Sequence, residues 1–510
     1  MISRLLISSG VLLATAAIIC IVSVNRKVAL VKKLNPDARL DIRKVYLPFQ
    51  LIFERAEIRL PSFLTTPFDF MYNNKMDRYR GEDRITFIVA PDLIAAVIAD
   101  AKFIEEAYEK KNEFVKPIKY YNVLQIYGEN ILTLDGKAWK RHRKFVSPQF
   151  SERTNILVHQ EAVRSCQQMI DHWEASGEID GLINITVAMF YYALGVVSAA
   201  SFGTRLNWVD DPNDKPEGFN LTLKQSLTYV THHLFQYILT PNIAYYLPFE
   251  GLQTMKRNFE ENKEKSNLLS SMVRACEGDS ETFTDEELIG NIFIFLFAGH
   301  ETSAGTLNYI LTLLALHPHV QERLYQEVKL TCGDQPPEYK HINQVPYCFA
   351  IINESLRLYP AVVAVPKLAV TNATIGKYVI PENTDLFIHT HGVQHHEKYW
   401  GKDYEEFKPE RWFEDQECAQ SAEKVYEKIQ ADTPIRAFYK FEKYAFTPFS
   451  DGPRACIGRR FSEVEMLVAL IMLSQRYKIT IPPGPDPLVS CAKITYKTTK
   501  DVLLKFTIRQ

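Results

Sequence analysis

The feature that most restricts the fold is one long helix predicted between Thr284 and Pro318. Thr284-Asp285-Glu286-Glu287 has the spacing of a capping box, in which a hydroxyl and a carboxylate satisfy each other's backbone amides, and an apolar run follows. Pro318 stops the pattern. At about 1.5 Å per residue such a helix is roughly 50 Å long, enough to cross a whole domain rather than lie on its surface. A membrane span is the competing reading of Leu288 to Phe297, but that run is short and is followed by Gly299, His300 and Glu301. Long amphipathic patterns at Lys137 to Phe145, Thr154 to Glu174 and Ile185 to Phe202, with a charged one from Met255 to Cys276, supply helices to pack around it.

The remainder reads as short strands. Ile85 to Val89 is a strand, and small sheets are expected between Pro48, Pro61, Pro67 and Asp100. A further helix ends at Pro360, and Val362 to Leu386, with Gly376 inside it, has the β-branched residues of strands and turns. Charges crowd Glu414 to Lys443, which reads as a surface insertion. No repeat or linker divides the chain. The expected class is mainly α with small β-sheets, one catalytic domain at 28–510 behind an N-terminal segment at 1–27.

That segment contains Leu5 to Val24, an uncharged stretch long enough to cross a bilayer core. It reads as one N-terminal transmembrane helix, a signal anchor. Ala14-Thr15-Ala16 offers a cleavage site as the alternative, but the apolar run continues past it. Arg26, Lys27, Lys32 and Lys33 follow and hold the body on the cytoplasmic side, with Arg4 opposing. There the glycosylation tripeptides at Asn184, Asn220, Asn353 and Asn372 would stay unused. The formal net charge of -2 removes the overall electrostatic case for a nucleic-acid partner. The eight cysteines form no CxxC pair, which fits neither a zinc site nor a disulfide scaffold.

One of those cysteines stands apart. Phe449-Ser450-Asp451-Gly452-Pro453-Arg454-Ala455-Cys456-Ile457-Gly458 places Cys456 in a glycine-rich turn ahead of a long apolar helix. Gly452 and Gly458 permit tight backbone geometry, and amides near a helix N-terminus favour negative charge on sulfur. A lone cysteine is ordinarily a small buried hydrophobe. The surrounding Phe-x-x-Gly-x-Arg-x-Cys-x-Gly resembles the haem-binding signature of the cytochromes P450 at every fixed position, and the likeness extends over nearly the whole chain. It implies the cytochrome P450 fold, haem b as cofactor, Cys456 as its axial iron ligand, and Phe449 and Gly458 as parts of the haem-binding loop. Thiolate ligation pushes electron density onto iron and favours O–O cleavage. In the family, the arginine at the position of Arg454 pairs with a haem propionate.

Ala298-Gly299-His300-Glu301-Thr302 resembles the family's oxygen-binding motif, whose small residues leave room for dioxygen. The resemblance gives Thr302 the hydroxyl that hydrogen-bonds oxygen and Glu301 a share in relaying protons. Ala298 occupies the position where relatives with covalently attached haem carry glutamate, so attachment is not expected. Glu354 and Arg357 lie three residues apart on one helix face. By resemblance they form a structural triad with Arg411 of Pro409-Glu410-Arg411-Trp412 and support the cysteine loop. Trp139 and Arg143 match a Trp-x-x-x-Arg motif implied to contact propionates, and Lys367 stands where many relatives have arginine, keeping the charge but losing the fork. Lys140, Arg141, Lys144, Arg459 and Arg460 are expected to form a basic face for an acidic electron donor.

The implied activity is a haem-thiolate monooxygenase that puts one oxygen atom of O2 into a lipophilic substrate of terpenoid, sterol, fatty-acid or polyketide type. Electrons would come from NADPH through a separate NADPH–cytochrome P450 reductase, with cytochrome b5 as an auxiliary donor, at the endoplasmic reticulum membrane. Substrate contacts are expected from Lys116 to Leu132, Phe219 to Phe249, Phe295 and its neighbours, Ala361 to Val365 and the turn near Thr498. The rivals are an oxygen-independent haem-thiolate isomerase or dehydratase, and a non-catalytic haem sensor. Thr302 argues against the first, and a retained proton relay against the second.

Overall fold

A computed structural model describes residues 2–42, 84–209, 221–240, 250–264, 284–432, 441–492 and 495–509. The small-sheet region around Pro48, Pro61 and Pro67, the tripeptide at Asn220 and much of Phe219 to Phe249 lie outside the described residues, as does Met255 to Cys276 beyond Glu264.

The first helix, α1 (Ile2–Leu34), does not stop where the uncharged stretch does. Ile18, Ile19 and Ile21 are exposed, whereas Val24 and Val31 are buried against the first sheet. Ser23 Oγ donates to the Pro91 carbonyl at 2.9 Å, and Lys27 Nζ reaches the same oxygen at 2.6 Å. Asn35 exchanges two hydrogen bonds with the backbone of Val379, at 2.8 and 2.7 Å. The division expected at residue 27 therefore falls inside a docked stretch.

The sheet beneath it joins β1 (Leu40–Ile42), β2 (Ile85–Val89), β3 (Ile94–Ile98) and β4 (Phe114–Val115) to β6 (Val365–Ala369) and β9 (Asp385–Ile388), in the order β1-β2-β3-β9-β6-β4. Every residue of β2 and β3 is buried, which is why their sequences are apolar apart from Thr86. The register sets Lys367 opposite Leu386. Between β6 and β9 the chain makes the hairpin β7 (Ala373–Ile375) and β8 (Tyr378–Ile380), turning at Gly376 with φ +54°.

Helices α2 (Ala101–Glu109), α3 (Gly136–Val146) and α4 (Glu152–Ser176) lead through β5 (Ile183–Asn184) into α5 (Ile185–Phe202). Expected to be amphipathic, α5 has apolar residues all round and no polar face, because most of it lies between α4 and the central helix, Val187 near its start being exposed. Among the described residues it is long and apolar enough to cross a membrane, yet most of it is buried in the core. After α6 (Leu223–Leu239) and α7 (Glu250–Glu264) comes the central helix α8 (Asp285–Leu316). Its capping box is present on both sides: Thr284 Oγ1 accepts from Glu287 N at 3.2 Å and Thr284 N donates to Glu287 Oε2 at 3.0 Å.

Helices α9 (Pro318–Cys332) and α10 (Pro346–Leu358) cover its far end. The segment from Glu414 is not a surface insertion where it is described. Cys418, Ala419, Ala422 and Val425 are buried in the main core, and α11 (Ala422–Gln430) packs on α9. The last helix, α12 (Arg459–Arg476), continues into β10 (Tyr477–Thr480), and the hairpin β11 (Ser490–Ala492) and β12 (Tyr496–Thr498) precedes β13 (Leu503–Ile508), which pairs with both β10 and β5.

Candidate active site

The cysteine loop is held by its own backbone. Ser450 and Gly452 turn it at φ +59° and +71°, the first a sterically costly value for a residue with a Cβ. Tyr108 OH and Ser450 Oγ lie 2.8 Å apart, and Asp451 accepts from the amide of Gly452 at 2.6 Å. The Cys456 amide then donates to the Phe449 carbonyl at 2.9 Å. Gly458, at φ −87°, makes no conformational demand for glycine, and a Cβ there would meet nothing of the chain closer than Phe150 at 3.8 Å. The cysteine is exposed to a water-sized probe yet densely surrounded, so it lies on a recessed wall rather than the outer surface. Burial pushes its thiol up, against the Gly458 amide and the Arg143 and Arg459 charges. Helix-end amides are thus not enough to favour the thiolate, and a cation facing the sulfur would complete the balance.

Positive side chains from four separate places gather behind this loop. Arg143 of α3 donates to the Ala455 carbonyl at 3.3 Å. Arg454 donates to the Leu134 carbonyl at 3.2 Å, pairs with Asp135, and stacks 4.2 Å over the Trp139 ring. Lys367 of β6 lies 5.2 Å over the Tyr108 ring. The fourth is Lys116, which follows β4, donates to the Leu132 carbonyl and stands 3.8 Å over the Tyr121 ring. Burial lowers the pKa of all four, and Arg454 depresses the other three further. Lys116 is brought down to about 7, with Asp135 pulling the other way. A partly buried surplus of cations sharing one carboxylate suits a ligand with two negative charges. Sequence reasoning placed Lys116 in a substrate segment; its neighbours there carry no motif, and only the strand pairing of Phe114 and Val115 with β6 brings it to Lys367.

On α8, Phe295, Ala298, Thr302 and Gly305 are the accessible positions in an otherwise buried stretch, together with Gly299 and Glu301. The first four follow helical spacing and make one stripe. The Phe150 ring, next to Gly458, lies 5.8 Å from that of Phe295, so the stripe and the cysteine loop meet at one place. Thr302 Oγ1 donates to the Ala298 carbonyl at 2.8 Å, a back-bond that parks the hydroxyl on the helix. Gly299 also serves helix packing, since a Cβ there would stand 3.0 Å from Val197 of α5. His300 turns into the core, edge-on to Phe190 at 4.6 Å. Glu301 turns toward the terminal hairpin, where Oε1 accepts from Thr495 at 2.9 Å and Lys497 at 3.1 Å. The structure does not bring its carboxylate to the Thr302 hydroxyl.

Glu354 is fully buried and takes Arg357 through two bonds of 2.8 Å, Arg411 at 2.8 Å, and the Trp412 ring nitrogen at 3.0 Å. Arg357 also donates to the Gln394 carbonyl at 3.1 Å, and the Gln394 side chain accepts from the Thr447 amide at 3.1 Å, just ahead of Phe449. The triad is thereby linked to the cysteine loop through one glutamine. Of the basic face, Arg141 pairs with Glu287, and Arg459 and Arg460 both meet Glu463. Lys140 and Lys144 are exposed.

Residues 93–506 match the family model described as Cytochrome P450. Cytochrome P450 monooxygenase 124 of Postia placenta is 34% identical over 78% of this chain and 78% of its own length. Cytochrome P450 3A13 of Mus musculus is 26% identical over 85% and 83%. The crystal structure of the cytochrome P450DA heme domain superposes with a TM-score of 0.70 at 22% identity, covering 86% of this chain and 92% of that one, a likeness of fold.

Proposed function

This chain belongs to the cytochrome P450 family, and on that premise we propose that its haem-thiolate monooxygenase chemistry rests on Cys456, Glu301 and Thr302 and acts on a lipophilic substrate. The overall reaction is RH + O2 + NADPH + H⁺ → ROH + H2O + NADP⁺, one oxygen atom entering the substrate and the other leaving as water. Haem, once bound, supplies the oxygen activation that thiolate ligation favours.

The residues around the loop fit that cofactor. Cys456 would hold the iron, and Arg143, Arg454, Lys367, Trp139 and the additional Lys116 would receive the propionates. The observation that carries the assignment is this surplus of cations beside an accessible, densely surrounded thiol. On this reading Thr302 would give up its back-bond to hold a hydrogen bond in the open stripe, Glu301 would hand on protons, and the apolar residues Phe295 and Ala298 would exclude water. Glu354, Arg357 and Arg411 would fix the loop from behind.

On the same reading, Leu5 to Val24 of α1 crosses the endoplasmic reticulum membrane once with the body facing the cytoplasm. Electrons come from NADPH–cytochrome P450 reductase, with cytochrome b5 as an auxiliary donor, through a basic face reduced mainly to Lys140 and Lys144. The substrate is a terpenoid, sterol, fatty acid or polyketide. The test is the reduced carbon-monoxide difference spectrum of the purified protein: the thiolate-type Soret band is expected for wild type and its loss for Cys456→Ala. A thiolate-type band that survives Cys456→Ala would remove the assignment.

A further inference from the structure

The β11–β12 hairpin lies along one side of α8. It meets Glu301 through Thr495 and Lys497, and its Tyr496 carbonyl lies 3.8 Å from where a Cβ on Gly305 would stand. Thr498 Oγ1 accepts from Asn308 at 3.3 Å, and Ser490 from Tyr309 OH at 2.7 Å. Positions 301, 305 and 308 share a helix face that borders the stripe carrying Ala298 and Thr302 and meets it at Gly305.

The carboxylate of Glu301 is consequently tethered through one oxygen only. Both donors converge on Oε1, while Oε2 is buried with no hydrogen-bond partner among the described residues. Such an atom is costly to leave unsatisfied. The Lys497 side chain is 36% exposed against 11% for Glu301, so the cation lies between the acid and water.

Deepening the proton-delivery role given to Glu301 above, we propose that Lys497, seconded by Thr495, is a positioning residue for it. The ammonium pins Oε1 to the hairpin and leaves Oε2 as the atom that takes up a proton and passes it on into the site. The proton that arrives at Oε2 also leaves from it, and the carboxylate returns to its starting state. A segment expected to wall the substrate pocket thereby also sets the orientation of the acid.

The experiment uses the purified full-length protein with a purified reductase, NADPH and no added substrate. Reduction of O2 to H2O2 consumes one NADPH, whereas reduction to two waters consumes two and needs further protons at the site. Lys497→Met should raise the share of NADPH recovered as peroxide by about two-fold or more, and Lys497→Arg should restore it. The affinity for clotrimazole, read as a spectral shift, reports on the pocket alone and should stay within about two-fold. Glu301→Gln should raise the peroxide share as well, and adding Lys497→Met to it should change nothing further. If Glu301→Gln raises peroxide and Lys497→Met does not, the positioning role falls while the acid's role stands. If neither does, proton delivery by Glu301 falls first. Loss of clotrimazole affinity in Lys497→Met, or additive effects in the double variant, would make Lys497 a pocket wall and overturn the proposal.

Discussion

At the scale of single residues, the site is governed by what burial does to charge. Glu465 on α12 shows it away from the catalytic groups: it is fully buried, neither carboxylate oxygen has a hydrogen-bond partner of good geometry among the described residues although Ser303 lies beside it, and burial pushes it up to about 8. The carboxyl is therefore held protonated at neutral pH. An unfolded glutamate gives up its proton near pH ~4.3, so between there and about 8 the native state binds the extra proton. Its contribution to stability is complete at the acid end and is lost as pH rises through the folded value. Thermal midpoints measured from pH 5 to 8.5 should fall for wild type, and Glu465→Gln should flatten that fall. The cysteine motif and the Ala298–Thr302 motif stood out in the sequence because each is a local string. Lys116 and Lys497 were not, because each acquires its partners across long loops, by strand pairing in one case and hairpin docking in the other.

At the scale of elements, the central helix was readable from both ends, since a capping box and a proline are local signals; its bounds came out at Asp285 and Leu316. The opposite held for α5, whose apolar residues cover every side. A helix flanked by helices loses the polar face that periodicity looks for. The buried triad joins α10 to the turn at Pro409–Trp412, and its two arginines are not equivalent. Arg411→Leu leaves Glu354 held by Arg357, Trp412 and the Lys408 amide, whereas Glu354→Leu leaves the fully buried Arg357 with carbonyls alone and Arg411 with Asp403 as its only carboxylate among the described residues. Removing one partner of such a pair costs on the order of 3–5 kcal/mol when a charge is left unpaired. Glu354→Leu should therefore lower the unfolding midpoint and haem retention more than Arg411→Leu does; equal losses would show that the carboxylate is not the hub.

At the scale of the whole molecule, the point along the first helix where it begins to dock on the body was the least legible feature. Charge marks where a span ends, and Arg26 and Lys27 gave that signal, but docking depends on what the next turns of helix meet. Val24 and Val31 enter the sheet core, and Asn35 closes both its hydrogen bonds on Val379. Deleting residues 2–22 should leave the thermal midpoint of the body almost unchanged. Deleting residues 2–35 should lower it by uncovering the sheet, at about 1.5–3 kcal/mol for each buried valine removed. Equal midpoints for the two truncations would mean that the docked half of α1 adds nothing.

The continuity of α1 has a further effect if its first half spans the bilayer as proposed. With no break between Ile2 and Leu34, the helix is a stiff mast stepped into the sheet rather than a mooring line. A mast passes its lean to whatever is fixed at its foot. Helices accommodate thicker or thinner bilayers by changing tilt, so lipid composition would rock the catalytic body against the membrane plane. The angle at which the body sits over the bilayer would then follow the thickness of the membrane in which the protein resides.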